Sequence, residues 1–218
     1  MIVKSKRVRA RGQALQRTLR HLMDGEDNDA VELVSGTIAD LGDARSDALR
    51  FGRQYAARHW IVSPAQRISR EQLVEFVNWL AAEFGFDPDR AVIWAHTKAR
   101  ATEDSCDEHY HIRVGEVDPI TGGVMSSSHD WARHEKLARR ADLAWGHTIV
   151  PGRHTVAVVA ILERENSVVA TTALRDVAIV DHRQSFDEIA HQRLKRAGYD
   201  LPRLRLIRSR CVFPRSER

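Results

Sequence analysis

The sequence has only two cysteines among its 218 residues and no long apolar segment. Two cysteines are too few for a disulfide framework, which favours a protein of a reducing compartment. No apolar run approaches the roughly 20 residues that a membrane-spanning helix needs. The beginning of the chain, MIVKSKRVRARGQ, lacks the apolar core of a secretory signal peptide. We therefore expect a cytoplasmic protein.

Acidic residues are missing from the first 20 positions, although the whole chain has 30 of them. Seven basic residues occupy those positions: Lys4, Lys6, Arg7, Arg9, Arg11, Arg17 and Arg20. A basic cluster that is separated from the acids is typical of a protein that binds a polyanion such as nucleic acid. A solvated basic tail is the alternative interpretation.

Hydrophobic periodicity predicts several helices. A stripe of leucines predicts the first, within GQALQRTLRHLM, and a second is predicted over DARSDALRFGRQYAARH, with Tyr55 near its end. The clearest helix, ISREQLVEFVNWLAAEFGFD, is capped by Ser69 and stopped by Gly85. Another is predicted over SHDWARHEKLARRADLAWGH, with one side formed by Trp131, His134, Ala138, Ala141 and Trp145.

Strands are predicted between these helices, over HWIVSP, RAVIWAHT and EHYHIRVGEV. Periodicity does not decide between helix and strand for HTVAVVAILE, near the probable boundary at Pro151 and Gly152. Alternating helices and strands predict an α/β or α+β fold. We expect a central, mainly antiparallel sheet flanked by helices, with a small C-terminal extension.

Three histidines fall within two of the predicted strands. His96 ends RAVIWAHT, and His109 and His111 lie in EHYHIRVGEV. Alternate residues of a strand share a face, so His109 and His111 point the same way and Tyr110 points the opposite way. If the two strands pair, the three imidazoles can converge on one cation. Three neutral imidazoles leave coordination positions open, which favours a catalytic divalent metal over surface histidines without a ligand role.

Cys106 gives this segment another interpretation. With the three histidines it would complete a closed, four-ligand zinc site of purely structural role. The charged loop ARATEDSCDE is a poor frame for a rigid ligand, so we favour the open site.

The order of these motifs resembles the relaxase (mobilisation nuclease) family of the MobA/VirD class, whose members are HUH-type endonucleases. The resemblance rests on HLMDGEDNDAVELVSGT, FGFD, HTK, HYHIRV, DPITG, SHDWARHEKLARR and WGHTIVPGRH, which follow one another in this order. It implies a relaxase domain over residues 1–154 and an extension of unknown role over residues 155–218. It also implies an enzyme that nicks one DNA strand at a plasmid transfer origin and remains joined to its 5′ end.

The resemblance implies that His96, His109 and His111 bind one divalent metal, either Mg²⁺ or Mn²⁺, with Zn²⁺ as a further option. The chain departs from the family pattern at two positions. Lys98 stands where an acid is usual, two residues after the first histidine, and Gly115 stands where an asparagine is frequent. A carboxylate normally orients a ligand histidine. In place of the acid missing at Lys98, one of three nearby acids could do so: Asp104, Asp107 or Glu108.

The resemblance also suggests a nucleophile. Relaxases usually attack with a tyrosine near the N-terminus, but the three tyrosines of this chain all lie at or after Tyr55. His21 holds the corresponding position, and some branches of the class use a histidine there. It lies about 145° from the leucine stripe and one turn after Arg17, which could hold a phosphate. We expect His21 as nucleophile, Tyr55 as the alternative, and loss of nicking as a further option.

The predicted DNA contacts are basic residues of the N-terminal run and of the helix after the turn: Lys4, Lys6, Arg7, Arg9, Arg11, Arg17, Arg133, Lys136 and Arg140. Asn28 and Glu32 are weaker site candidates, for which an ordinary turn and strand start is the alternative. The expected partner is single-stranded DNA at a transfer origin, with accessory transfer proteins as possible further partners. Two other functions remain open: a relaxase-like module that binds DNA without cutting it, and a three-histidine zinc hydrolase acting on a small molecule.

Overall fold

A five-stranded antiparallel sheet forms the centre of the structure. The structure is a computed structural model, and it describes residues 1–23, 29–98, 106–149 and 152–165, without the side chain of residue 163. The strands are β1 (Ile2–Arg9), β2 (Ala30–Ser35), β3 (Tyr55–Ser63), β4 (Val92–Thr97) and β5 (Glu108–Gly115). Their order across the sheet is β1-β3-β5-β4-β2. The central strand β5 therefore pairs with both β3 and β4.

Five α-helices flank the sheet within the described residues. They are α1 (Ala14–Met23), α2 (Ile38–Arg50), α3 (Arg70–Phe84), α4 (Asp130–Ala144) and α5 (Thr155–Arg164). This α+β architecture confirms the predicted fold class. None of the described helices has the length and apolar character of a membrane span.

The two faces of the sheet carry different side chains. The face that we call the core face packs against α3 and α4 through a large cluster that includes Trp60, Phe76, Leu80, Tyr110 and Ile112. The opposite face, which we call the histidine face, carries Lys6, His59, His96, His109, His111 and Arg113. There, Leu15 and Leu22 of α1 and Leu41 of α2 pack on Ala57, Val92 and Trp94. The leucine stripe of α1 thus faces the sheet.

The clearest predicted helix forms as expected. Ser69 and Gln72 make a reciprocal capping box at the start of α3, and Gly85 adopts a left-handed conformation at its end. Its apolar side is buried: Leu73, Phe76, Val77, Leu80 and Phe84. The helix therefore lies flat on the core face.

The second predicted helix had the wrong boundaries. α2 covers Ile38–Arg50, begins at a capping box formed by Thr37 and Asp40, and ends before Gly52. The chain then turns, and Tyr55 begins strand β3 instead of closing a helix. Pairing with β1 and β5 decides in favour of the strand.

The residues predicted to form one side of α4 differ in burial. The side chain of Trp131 is 66% exposed, whereas His134, Ala138 and Ala141 are buried. The undecided segment HTVAVVAILE is helical and forms most of α5. Val158, Val159 and Leu162 of α5 pack with Leu143 and Ile149.

Phe76 provides a test of the core face. Replacing it by alanine is expected to lower the free energy of unfolding by about 3–5 kcal/mol, because the fully buried ring leaves a cavity under β5. Val74→Ala on the same helix is the control, since Val74 is 58% exposed and should change stability by at most about 0.5 kcal/mol. Denaturant unfolding measures both, and equal effects would contradict the assignment of this core.

Candidate metal centre

Strand register brings the three predicted histidines together. His96 lies directly opposite His109, and His111 lies opposite Trp94, which is two residues before His96 on the same strand. Side chains of opposite residues in an antiparallel pair share a face. All three imidazoles therefore project from the histidine face, and the predicted convergence is confirmed.

The geometry of the cluster is compatible with one metal ion. A single nitrogen from each of His96, His109 and His111 lies within 4.8 Å of the other two. The ring centroids are 4.3 Å apart for His96 and His111, 4.9 Å for His109 and His111, and 5.3 Å for His96 and His109. Three nitrogens bound to one ion at about 2.1 Å in a tetrahedral arrangement are about 3.4 Å apart, so the side chains have to approach one another by about an ångström to hold the ion.

The environment keeps His96 and His111 neutral, which is the form that binds a metal. Burial, reinforced by His109, lowers the pKa of His96 to about 4. Burial likewise lowers the pKa of His111 to about 2, with additional effects from His96, His109 and Arg113. Protons therefore compete weakly for these two side chains near neutral pH.

A fourth histidine, His59, contacts the cluster and was not singled out from the sequence. Its Nε2 lies 2.8 Å from Nδ1 of His111, and both side chains are buried. Arg113 lies behind it, with Nη2 3.5 Å from Nδ1 of His59. Burial and the neighbouring charge of Arg113 hold the pKa of His59 well below its usual value. His59 sits on β3 beside β5, so only the strand register could have revealed this contact.

Two of the three expected carboxylates, Asp107 and Glu108, lie within the described residues, and Asp104 lies outside them. Glu108 accepts a hydrogen bond of 2.5 Å from the Tyr110 hydroxyl. The side chain of Asp107 is exposed just before β5. The buried partner of His111 is an imidazole, that of His59.

Cys106 does not join the cluster. The group that could hold a metal in the described part of the chain consists of the three histidines alone. The Cys106 thiol instead lies 3.5 Å from the backbone carbonyl of Glu108. The geometry thus favours the open site over the closed four-ligand site.

The end of α1 lies beside the histidines. His96 forms a hydrogen bond with the backbone of Leu22, and His21 is close enough to influence the pKa of His96 and of His59 electrostatically. Leu22 is buried, whereas His21 is exposed. His21 is thus a solvent-accessible imidazole at the edge of the cluster.

Tyr55 lies far along β3 from the same cluster. Ile61 is the β3 residue opposite His111, and Tyr55 is six positions away from it, which corresponds to about 20 Å of strand. The guanidinium of Arg7 covers the Tyr55 ring at 4.0 Å. Its hydroxyl therefore has no access to the histidines.

The sheet separates the two groups of predicted DNA-binding residues. Lys4 and Lys6 pair in register with Ile61 and His59, which places them on the histidine face. Arg9, Arg11 and Arg17 are exposed nearby in sequence. Arg7 forms an ion pair of 2.6 Å with the buried carboxylate of Glu116.

The basic residues of α4 lie on the other side of the sheet, because α4 packs on the core face. Arg133 and Lys136 both pair with Glu83, at 2.9 Å and 2.5 Å, and Lys136 also contacts Glu165. The guanidinium of Arg140 lies 4.5 Å from the centre of the Trp79 ring. These interactions join α4 to neighbouring helices. They give the three basic side chains a structural role that does not require DNA.

Of the two weaker candidates, Glu32 lies away from the cluster. It is opposite Ala95 on the core face, and its carboxylate pairs with Arg70 at 2.5 Å. Asn28 lies outside the described residues.

Comparison with known proteins gives one match. The model of a family described as "Relaxase: MobA/VirD2-like, nuclease domain" matches residues 30–147, which is more than half of the chain. The matched region contains all three histidines of the cluster as well as His59. No curated protein and no solved structure matches the chain significantly.

Proposed function

Because the chain belongs to the MobA/VirD2-like relaxase nuclease family, we propose that it nicks one strand of DNA at a transfer origin of a plasmid or mobile element. The product would be a protein joined covalently to the 5′ end of the cut strand, ready for conjugative transfer. The observation that supports this most directly is the convergence of His96, His109 and His111 on one face of the sheet. A relaxase domain over residues 1–154, with an extension of unknown role over residues 155–218, remains part of the proposal.

The three histidines would hold a divalent ion, Mg²⁺ or Mn²⁺ in the first place and Zn²⁺ as an option. When bound, the ion would polarise the scissile phosphate and neutralise charge that develops in the transition state. The protein supplies three imidazoles on two adjacent strands, and the pairing of these strands fixes their spacing. The rest of the coordination sphere is left for substrate oxygens.

His21 is the proposed nucleophile. An unprotonated ring nitrogen of His21 would attack phosphorus, and the bond from phosphorus to the 3′ oxygen would break. The other ring nitrogen would release its proton to solvent, and the departing oxygen would take up one proton as a 3′ hydroxyl. The result is a phosphoramidate between His21 and the 5′ phosphate. The exposed position of His21 beside His96 supports its role as nucleophile. Arg17 lies one helical turn before His21, where it could hold a neighbouring phosphate.

The DNA strand is proposed to cross the histidine face along the basic residues of the N-terminal segment. We include Lys4, Lys6, Arg9, Arg11 and Arg17 in this path. Arg7, Arg133, Lys136 and Arg140 are left out, because the structure already engages them with acids or an aromatic ring. The proposed DNA path therefore includes fewer basic residues than the sequence predicted.

Salt dependence tests this path. Lys6→Ala is expected to flatten the slope of log affinity against log salt by about 0.7 for single-stranded DNA, because one phosphate contact is lost. Lys4→Ala should act in the same direction and to a similar extent. Fluorescence anisotropy of a labelled oligonucleotide at several salt concentrations measures the slope.

Arg140→Ala is the matched control for these variants, since it removes the same charge from the far side of the sheet. It should leave the slope unchanged. Equal changes in all three variants would indicate a diffuse effect of net charge and would contradict the proposed path.

A denaturing gel tests the function itself. The protein is incubated with a 5′-labelled and a 3′-labelled single-stranded origin oligonucleotide in Mg²⁺ or Mn²⁺. We expect a shortened 5′-labelled fragment and a 3′-labelled fragment that migrates with the protein. Binding without cleavage would favour the DNA-binding module, and absence of salt-dependent DNA affinity would favour the zinc hydrolase.

A further inference from the structure

The hydrogen bond between His59 and His111 defines which nitrogen of His111 can reach a metal. Nδ1 of His111 lies 2.8 Å from Nε2 of His59, so it is already occupied. Only Nε2 of His111 remains for coordination. Because a ligating nitrogen carries no proton, a metal-bound His111 must carry its proton on Nδ1 and donate it to His59.

The pair therefore has two arrangements with the same number of protons. In the first, His59 donates from Nε2 to His111, and His111 carries its own proton on Nε2, where a metal would bind. In the second, His111 donates from Nδ1 to His59, and His59 carries its proton on Nδ1. Conversion moves the shared proton across the hydrogen bond, and water exchanges the Nε2 proton of His111 for one on Nδ1 of His59.

Arg113 favours the first arrangement. Its Nη2 lies 3.5 Å from Nδ1 of His59, and a guanidinium can only donate. This contact is attractive when Nδ1 of His59 carries a lone pair and repulsive when Nδ1 carries a proton. The side chain of Arg113 is fully buried, and its Nε and Nη1 have no hydrogen-bond partner. The contact with His59 thus satisfies a guanidinium whose other described donors are unpaired, and losing it would be costly.

We propose that His59 is a positioning residue that orients His111 for the metal, and that Arg113, acting through His59, holds His111 in the tautomer that does not bind. Metal affinity is then set by a competition between the ion and Arg113 for the proton arrangement of the His59–His111 pair. The inference rests on the proposed metal site. It assigns His59 the role that a carboxylate usually fills, in a chain where Lys98 replaces the usual acid.

Calorimetric titration with Mn²⁺ tests His59 and Arg113, whose removal should change metal affinity in opposite directions. His59→Phe keeps the ring volume but removes the acceptor, so affinity should fall about 10- to 100-fold. His59→Gln retains an amide oxygen that can accept from Nδ1 of His111, so affinity should equal or exceed that of the wild type. Arg113→Met removes the charge from the buried site and should raise affinity above the wild-type value.

A role of His59 in packing alone predicts a different order, in which phenylalanine serves as well as glutamine. Equal Mn²⁺ affinity of the Phe and Gln variants would therefore overturn the proposal. A fall in affinity in Arg113→Met, with the fold intact by circular dichroism, would overturn the part assigned to Arg113. If the wild type binds no Mn²⁺ and no Zn²⁺, the metal site of the proposed function fails.

Nitrogen-15 NMR of the metal-free protein provides a test that requires no metal. The wild type should show a protonated Nε2 and an unprotonated Nδ1 for both His59 and His111. In Arg113→Met the populations should shift toward protonated Nδ1 on both rings. The second arrangement in the wild type, or no shift in the variant, would overturn the inference even if the metal site proves real.

Discussion

The double variant His109→Ala/His111→Ala is expected to lose binding of a divalent metal. Two of the three imidazoles disappear, and the remaining His96 alone is a weak ligand. The loss should exceed about 100-fold in affinity, since removal of even a hydrogen-bonding partner of a ligand typically costs 10- to 100-fold. Folding should persist, because both side chains lie on the histidine face outside the large apolar cluster. Calorimetry with Mn²⁺ and thermal unfolding measure the two properties.

His134 offers a matched control for this experiment. It is also a buried histidine, but its Nε2 accepts a hydrogen bond of 3.1 Å from Trp60 and its ring stacks on Phe84, on the core face. His134→Ala should therefore lower thermal stability and leave metal affinity unchanged. Retained Mn²⁺ binding in the double variant would contradict the assignment of the centre, because His96 cannot hold the ion alone.

His21→Ala is expected to abolish the covalent adduct with DNA while leaving affinity for DNA nearly unchanged. The imidazole that would attack phosphorus is removed, and the rate of adduct formation should fall by at least on the order of a thousandfold. The basic residues of β1 and of α1 remain in place, so binding in the absence of cleavage should be preserved. A denaturing gel and an anisotropy titration measure the two quantities separately.

Tyr55→Phe is the matched control, and it should form the adduct as the wild type does, because Tyr55 begins β3 about 20 Å along the strand from the position opposite His111. The bond itself gives a second check, since a phosphoramidate is cleaved by acid and tolerates alkali. An alkali-labile adduct, or an adduct in His21→Ala that is absent from Tyr55→Phe, would show that the nucleophile is not His21.

The three-histidine cluster could be predicted from the sequence because strand alternation is a local property. Two residues spaced by one, as His109 and His111 are, share a face in any strand. His59 could not be predicted, since its contact with His111 depends on the register between β3 and β5, which the sequence does not display. Register is decided by packing of whole faces, and a shift of one residue would have sent His59 to the core face.

Charge was a weaker guide than periodicity. Arg133, Lys136 and Arg140 are spaced like a basic stripe for DNA, yet Glu83 and Trp79 on α3 engage them. Those partners lie about 50 to 60 positions earlier in the chain, so only the packing of α4 beside α3 brings them into contact. The prediction for α2 failed for a related reason, because sheet pairing at Tyr55 overrode an ambiguous local pattern.

The order of strands has a consequence for how the chain reaches this structure. β5 is the last strand of the described residues to be synthesised, yet it lies at the centre of the sheet between β3 and β4. Until it emerges, β3 and β4 each have an unpaired edge with buried-type side chains such as Trp60 and Trp94, which are prone to pair with other chains. Insertion of β5 closes both edges and delivers His109 and His111 to His59 and His96 in the same step. Sheet completion and assembly of the histidine cluster are thus one event, and a nascent chain stalled before β5 would be aggregation-prone and have no such cluster.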